Sequence, residues 1–363
     1  MKAVVLAGGM GTRLRPLTYG RPKSMVPILN RPFLEHCIAH LRRHGVTEVI
    51  LALSYLPEAI EGHFGDGRAY GVRITYVLEE TPLGSGGAIR NVAHLLDGTF
   101  FALNGDVYTD LDLSAMLARH REAGAAVSIS LTPVADPSHY GVVDWEPESG
   151  RLRRFVEKPP REEAPSNMAN AGTWIFEPWV LDRIPADRPS MVERELFPDL
   201  LREGQHLLGF ASDAYWIDIG TPERYLQVHR DLLTGAVRSK LDGDAAYPHV
   251  DPGASVAGGA TVTGPVLVGA GARIEEGCRL EGPLVIGPGT VVGAGSHLSG
   301  CVLWEQVRVG PGATLRDAVV GARCVVGEGA ALHGVYLGDG ATVEGGAVLG
   351  PGTPVPAAPP AEG

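Results

Sequence analysis

Up to about residue 235 the chain alternates short apolar, β-rich runs with longer stretches of helical spacing. KAVVLA, EVILAL, VRITYVL, TFFALNGD, AAVSISLTPV and GTWIF read as strands. Between them, PFLEHCIAHLRRHG and DLSAMLARHREAG place apolar residues at helical spacing and close on Gly45 and Gly124. Strands alternating with helices predict a mostly parallel, Rossmann-like α/β sheet covered on both faces, with ligands gathering at the carboxyl ends of its strands. Beyond residue 248 the helical pattern stops. Val250, Val256, Val262, Val268, Ile274, Leu280, Ile286, Val292 and Leu298 recur at every sixth position, with Gly, Pro, Ala and small polar residues between them. The beat then slips and resumes at Val309 and Leu315, at Val326 and Leu332, and at Leu337, Val343 and Leu349. A period of six puts one aliphatic side chain on each inner face of a triangular parallel β-helix, whose stacked coils share one core. The pattern therefore divides the chain into an α/β domain (1–235), a linker (236–248), a hexapeptide-repeat domain (249–352) and a Pro/Ala-rich tail (353–363) whose composition predicts disorder.

Composition narrows the partners. Among 363 residues, 42 Asp and Glu outnumber 31 Lys and Arg, a net charge of −11 that argues against a nucleic-acid scaffold and marks the early arginines as local ligand groups. Cys37, Cys278, Cys301 and Cys324 lie without CxxC pairing, which suits free thiols in a reducing cytoplasm. One lysine and a few apolar residues before a glycine turn do not make a signal peptide, and no apolar run approaches membrane length.

The candidate chemistry begins where the first strand breaks into GGMGTRLRPLTYGRPKSM. Glycines let a ligand lie against backbone N–H groups, and Arg13, Arg15 and Lys23 supply positive charge for a triphosphate. The stretch is neither a P-loop, since no G-K-[ST] follows, nor a dinucleotide fingerprint, since Leu14 stands where a third glycine belongs. Asp106 of LNGDVYTD stands just past a strand, where a carboxylate can ligate Mg²⁺; the alternative is a turn aspartate, with Asp110 or Asp112 capping the next helix. Asp218 of YWIDIGTP sits among apolar residues, a costly place for a carboxylate unless it binds metal or pairs with an arginine. In RFVEKP, Glu157 and Lys158 face opposite ways along a strand unless a bend intervenes. A lysine there can neutralise a phosphate while Glu157 and Asn170 read sugar hydroxyls. EETPLGSGGAI adds further glycines beside Glu79 and Glu80; a carboxylate complements the adjacent N–H donors of guanine, which favours GTP.

The ordered set GGMGTRLRPLTYGRPKSM, PLGSGGA, LNGD, YGVV, FVEKP, NAG and WIDIGTP resembles the sugar-1-phosphate nucleotidyltransferases. Within them it is most similar to the mannose-1-phosphate guanylyltransferases that carry a C-terminal left-handed β-helix. The resemblance implies a Mg²⁺-dependent enzyme that joins GTP to mannose-1-phosphate. It assigns Leu6, Ala7, Gly8, Gly9, Gly11, Thr12 and Arg13 to the nucleotide, with Glu80 and Gly84 near the base. Arg13 and Lys23 would hold the phosphates, Asp106 and Asp218 the metal. Gly141, Glu157, Asn170 and Gly172 would surround the sugar, and Lys158 would hold its phosphate. Glucose-1-phosphate thymidylyl- or uridylyltransfer is the nearest alternative. From other classes come a non-catalytic sugar-nucleotide sensor and an acyltransferase using His297 or His333 of the repeats. Neither nucleic acid nor membrane is expected as a partner, whereas the β-helix predicts a homo-oligomer.

Overall fold

The computed structural model describes residues 1–238, 241 and 246–353. Residues 239, 240 and 242–245 of the expected linker, and 354–363 of the expected tail, lie outside them. The chain divides into two compact units that do not follow chain order: Met1–Gly9 with Cys37–Ile217, and Met10–His36 with everything from Asp218 onward.

The first unit is built on one sheet. Strands Arg73–Leu78, Glu48–Leu53, Lys2–Leu6 and Phe100–Asn104 run parallel in that spatial order. Burial is nearly continuous in Glu48–Leu53, Lys2–Leu6 and Phe100–Asn104, as expected of strands covered on both faces, while Arg73–Leu78 at the edge is largely exposed. Met168–Phe176 then adds antiparallel to Phe100–Asn104 and carries Val127–Pro133 and Gly141–Trp145 as further antiparallel neighbours. Leu152–Glu157 closes that side. Phe100, Trp174, Phe176 and Phe197 interlock beneath the sheet, all of them fully buried. The predicted helices form at Phe33–Arg43 and Leu113–Ala123. The second is capped by Asp112, whose carboxylate accepts the Ala115 N–H (2.9 Å), and ends at Gly124 in the left-handed conformation. Asp110 instead accepts the Tyr215 N–H at 2.7 Å.

In the second unit the hexads form three six-stranded parallel sheets, as in a left-handed β-helix. Val268, Ile274, Leu280, Ile286, Val292 and Leu298 all point into one buried core. The slip in the beat has a simple cause. Leu267 pairs with Val285, eighteen residues on, whereas Val285 pairs with Val302, seventeen on, and Val302 with Val319, again seventeen. Each later coil drops one residue at a single corner, so Leu303, Val320 and Leu337 fill the inner face five positions after Leu298, Leu315 and Leu332. At the ends of the stack the pattern meets solvent: Val250 is 40% exposed and Leu349 only half-buried.

One face of the β-helix is apolar on its outside as well. Val285, Val302 and Val319 form an outward row, yet each is buried. Helix Pro222–Thr234 packs on that face, with Tyr225, Val228, Leu232 and Leu233 buried beneath it. Thr221 caps this helix through the Arg224 N–H, and Pro222 occupies its first turn. Among the described residues no helix is long and apolar enough to cross a membrane. All four cysteines are free thiols. Burial pushes the Cys301 and Cys324 thiols up to about 12.

Candidate active site

Strand Lys2–Leu6 delivers the glycine turn. Ala7 donates its N–H to Ala52 (3.0 Å), the Leu6 carbonyl accepts from Gly105 of LNGD (2.9 Å), and the Ser54 hydroxyl donates to the Gly8 carbonyl (2.6 Å). Leu6, Ala7 and Gly8 are thus anchored beside the turn that carries Asp106, which is half-buried, while Gly9 is exposed.

The rest of the signature belongs to the second unit. Gly11 is left-handed (φ 62°), and a Cβ there would stand 3.0 Å from the Lys23 Cβ and 3.1 Å from Thr18 Cγ2. Only glycine lets the first part of the loop lie against Lys23 in this conformation. Thr12–Leu14 makes a single 3₁₀ turn that leaves Arg13 65% exposed by side chain, while Lys23, opening the turn Lys23–Met25, is buried. Both cations converge on Asp218: Lys23 Nζ lies 3.3 Å from Oδ1 and Arg13 Nη2 3.4 Å from Oδ2, with Arg224 Nη1 3.8 Å from Oδ2. Gly220 leaves the room for this, since a Cβ there would fall 2.8 Å from the Arg13 guanidinium and 2.9 Å from Asp218 Oδ1. The sequence left metal binding and arginine pairing open for Asp218. It does pair, but with two arginines that reach solvent and one buried lysine, so the cluster carries surplus positive charge at an accessible place. Three cations around one carboxylate are poised for a polyanion. Arg224 had no sequence signal: it sits in the first turn of helix Pro222–Thr234, past the strand that ends at Asp218.

In the first unit the expected sugar residues come together. Strand Leu152–Glu157 ends at Glu157, opposite Gly141, and Lys158 turns left-handed (φ 51°) with its N–H on the Tyr140 carbonyl (3.0 Å). That bend brings Lys158 Nζ to 3.7 Å from Glu157 Oε1, so the pair faces one way rather than two. Asn170 Oδ1 accepts from Gly172 N (3.0 Å) and Trp174 Nε1 (2.9 Å), which braces the irregular stretch of Met168–Phe176 where the pairing register shifts. Trp216 Nε1 donates to the Ala171 carbonyl beside it (2.9 Å), and its ring meets Tyr140 edge-on.

Two buried acids were missed or only half seen in the sequence. Glu193 accepts from the Ser85 hydroxyl (2.5 Å), and Ser85 Oγ in turn accepts the Val192 N–H. Burial, and then the charge of Glu157, push its carboxyl above the usual range, against the Ser85 hydrogen bond and Lys158. It links the PLGSGGA turn to the Glu157–Lys158 bend. Gly84 and Gly86 lie against Ser190 of the same segment, Gly86 N donating to the Ser190 carbonyl (3.0 Å). Nothing in SMVEREL distinguishes Glu193 from its neighbour Glu195 as one more acid of a surface helix. Glu79 is buried, its carboxylate accepting the Leu83 N–H (3.1 Å) and raised by desolvation, whereas Glu80 is exposed.

Residues 2–235 match the family model described as nucleotidyl transferase, and residues 250–357 match the GMPPB C-terminal domain. The chain belongs to the nucleotidyl transferase family. It is 44% identical to a mannose-1-phosphate guanylyltransferase of Mycobacterium tuberculosis, over 74% of this chain and 74% of that protein. It is 38% identical to a UTP–glucose-1-phosphate uridylyltransferase of Synechocystis, over 87% and 86% respectively. Among solved structures it resembles HddC from Yersinia pseudotuberculosis complexed with GMP-PN, 31% identical over 62% of this chain and 97% of that one, with a TM-score of 0.54. Members of the nucleotidyl transferase family generally use a divalent metal ion. No group of three or more His, Cys, Asp or Glu side chains forms a cage among the described residues. A hard cation held by one or two carboxylates and the substrate phosphates needs none, and the aspartate donors present fit that mode.

Proposed function

We propose that the chain transfers a guanylyl group from GTP to mannose-1-phosphate, yielding GDP-mannose and pyrophosphate. The observation that supports this reaction type is the cluster of Lys23, Arg13 and Arg224 about Asp218. The choice of substrates rests on the likeness to the mycobacterial guanylyltransferase and on the carboxylates of Glu79 and Glu80 beside the PLGSGGA turn.

A phosphate oxygen of the sugar phosphate attacks the α-phosphorus of GTP in line, forming one P–O bond as the bond to the β-phosphate oxygen breaks. The nucleophile is already an anion, so no general base is required, and the obstacle is repulsion between two polyanions. In our reading Leu6, Ala7, Gly8 and Gly9 line the nucleotide, and Gly11 and Thr12 shape the loop around its phosphates. Gly84 and Glu80 border the base. Arg13 neutralises the charge that leaves as pyrophosphate, and Lys23 holds the phosphates at the reacting centre. Lys158 meets the sugar phosphate, with Gly141, Glu157, Asn170 and Gly172 around the sugar. Asp106 and Asp218 supply carboxylate oxygens for Mg²⁺, which when bound would screen the phosphate charge.

The test is pyrophosphate release across GTP, UTP, dTTP, ATP and CTP against mannose-, glucose- and galactose-1-phosphate. The expected peak is GTP with mannose-1-phosphate. A peak at UTP or dTTP with glucose-1-phosphate keeps the reaction and overturns the substrates. Silence from folded protein favours the sensor reading.

Residues 1–235 are read as the nucleotidyltransferase domain and 249–352 as the β-helix. Four free thiols fit a reducing compartment, and the cytoplasm is the proposed location. Open coil ends such as that at Val250 support the proposed homo-oligomer. Light scattering at micromolar concentration is expected to return at least twice the 38.3 kDa chain mass; the monomer mass overturns it. For the acyltransferase alternative, His297 lies 3.1 Å from Glu281, and its row continues through Thr314 to Ala331, while His333 occupies the row of Ser299 and Arg316. The two histidines do not stack, and nothing about them favours an acyl site.

A further inference from the structure

Lys23 and Arg13 are held by a loop with almost no regular structure of its own. Between Met10 and His36 the backbone makes two single 3₁₀ turns, the two-residue ladder Pro27–Ile28 with Arg31–Pro32, and the start of one helix. Isolated turns of this length do not hold themselves in water. The restraints come from elsewhere in the second unit, and most come from the β-helix. Arg21, two residues before Lys23, sends Nη2 to Glu305 Oε1 (2.5 Å) and to Asp339 Oδ2 (3.5 Å), and its guanidinium lies 4.9 Å from the centre of the Trp304 ring. Trp304 Nε1 donates to the Tyr225 hydroxyl (2.9 Å), and that hydroxyl donates to the carbonyl of Pro27, four residues past Lys23. Asn30 donates to the Ile286 carbonyl (3.1 Å).

This is not an ordinary surface pair, whose contribution would be near zero. The Arg21 side chain is 20% exposed and Asp339 19%; Trp304 and Tyr225 are fully buried. Asp339 is fixed in turn, its Oδ1 accepting the Ala322 N–H (2.9 Å). An arginine suits the position because its Nη2 reaches both carboxylates while the planar guanidinium lies on the Trp304 indole, a stacking that a lysine's compact ammonium lacks.

We propose that Arg21 is a positioning residue: gripped by Trp304, Glu305 and Asp339 of the β-helix, it fixes the loop that presents Lys23 and Arg13 to the phosphates. The β-helix is then part of the catalytic apparatus as well as an assembly element. The kinetic side of this inference rests on the proposed nucleotidyl transfer; its structural side does not.

The experiment uses full-length protein carrying Glu305→Gln, Asp339→Asn, the two combined, and Arg21→Lys. Amide hydrogen exchange is followed in peptides from residues 10–26 and from coil residues 284–303. The expected result is exchange at least tenfold faster in 10–26 for the combined variant, with the coil peptides and the melting temperature nearly unchanged. With GTP and mannose-1-phosphate, kcat falls about tenfold while KM for the sugar phosphate stays within twofold, and Arg21→Lys lies between. Exchange in 10–26 within twofold of the parent, or raised equally in the coils, overturns the proposal. If the combined variant does not fold, Glu305→Gln alone is held to the same criteria. Exchange needs no substrate, so a wrong substrate assignment fails in the kinetics of the parent protein and leaves this test standing.

Discussion

Asp218→Asn is expected to lower kcat about a thousandfold while the protein stays folded. The amide keeps the shape but removes the negative charge toward which Lys23, Arg13 and Arg224 all point. Three cations left facing one another would splay apart, and the loss of one preorganised electrostatic group in such sites costs about 10²–10³ in rate. Asparagine is also a poor substitute ligand for a hard cation. Steady-state pyrophosphate release, beside circular dichroism and a melting curve, measures the effect. A rate within tenfold of the parent would remove Asp218 from the machinery and leave it a structural acid.

The second large effect is on stability in mild acid. His36 and His229 are both buried in the second unit, and desolvation lowers each to about 4, against the hydrogen bonds that His36 Nε2 makes to the Ile28 carbonyl (3.0 Å) and His229 Nδ1 to the Tyr225 carbonyl (2.9 Å). In the unfolded chain the same imidazoles titrate near 6.5. Above that pH both states are neutral and nothing changes. Between about 6.5 and 4 the unfolded chain takes up protons that the folded chain refuses, so stability falls as pH falls. By pH 5 the loss amounts to about 2 kcal/mol per histidine, before most carboxylates begin to titrate. Two such groups remove a large part of the stability of a typical domain. Denaturant midpoints measured from pH 7.5 to 5 should drop steadily below pH 6.5, and the slope should flatten in a His36→Gln/His229→Gln protein. A flat profile in the parent would show that these imidazoles stay accessible to protons.

Much of this was legible in the sequence, for identifiable reasons. The hexads could be read because every inward residue must be aliphatic in a core so narrow, and even the five-residue slips at Leu303, Val320 and Leu337 left a trace in the beat. Strands such as EVILAL were clear because both faces are buried. Glu157 and Lys158 were singled out, but not the left-handed turn at Lys158 that gathers them on one side, because a lysine gives no hint of positive φ. Glu193 was invisible because its partner Ser85 lies 108 residues away, and Arg224 because only the turn between strand and helix brings it back onto Asp218. The bond between Arg21 and Glu305 spans 284 residues, beyond any local pattern. For the same reason nothing in the sequence signals that the phosphate loop and Asp218 share a compact unit with the coils.

The buried outward row of Val285, Val302 and Val319 under helix Pro222–Thr234 bears on how such chains can be shortened or recombined. Gly235 looks like a natural place to cut, because the strand-and-helix grammar ends there. A fragment stopped at that glycine would carry Tyr225, Val228 and Leu232 into water, and the excised repeats would show a valine stripe of their own. Both pieces would be sticky. A lineage that swapped or lost its repeats would have had to rewrite this helix in the same step.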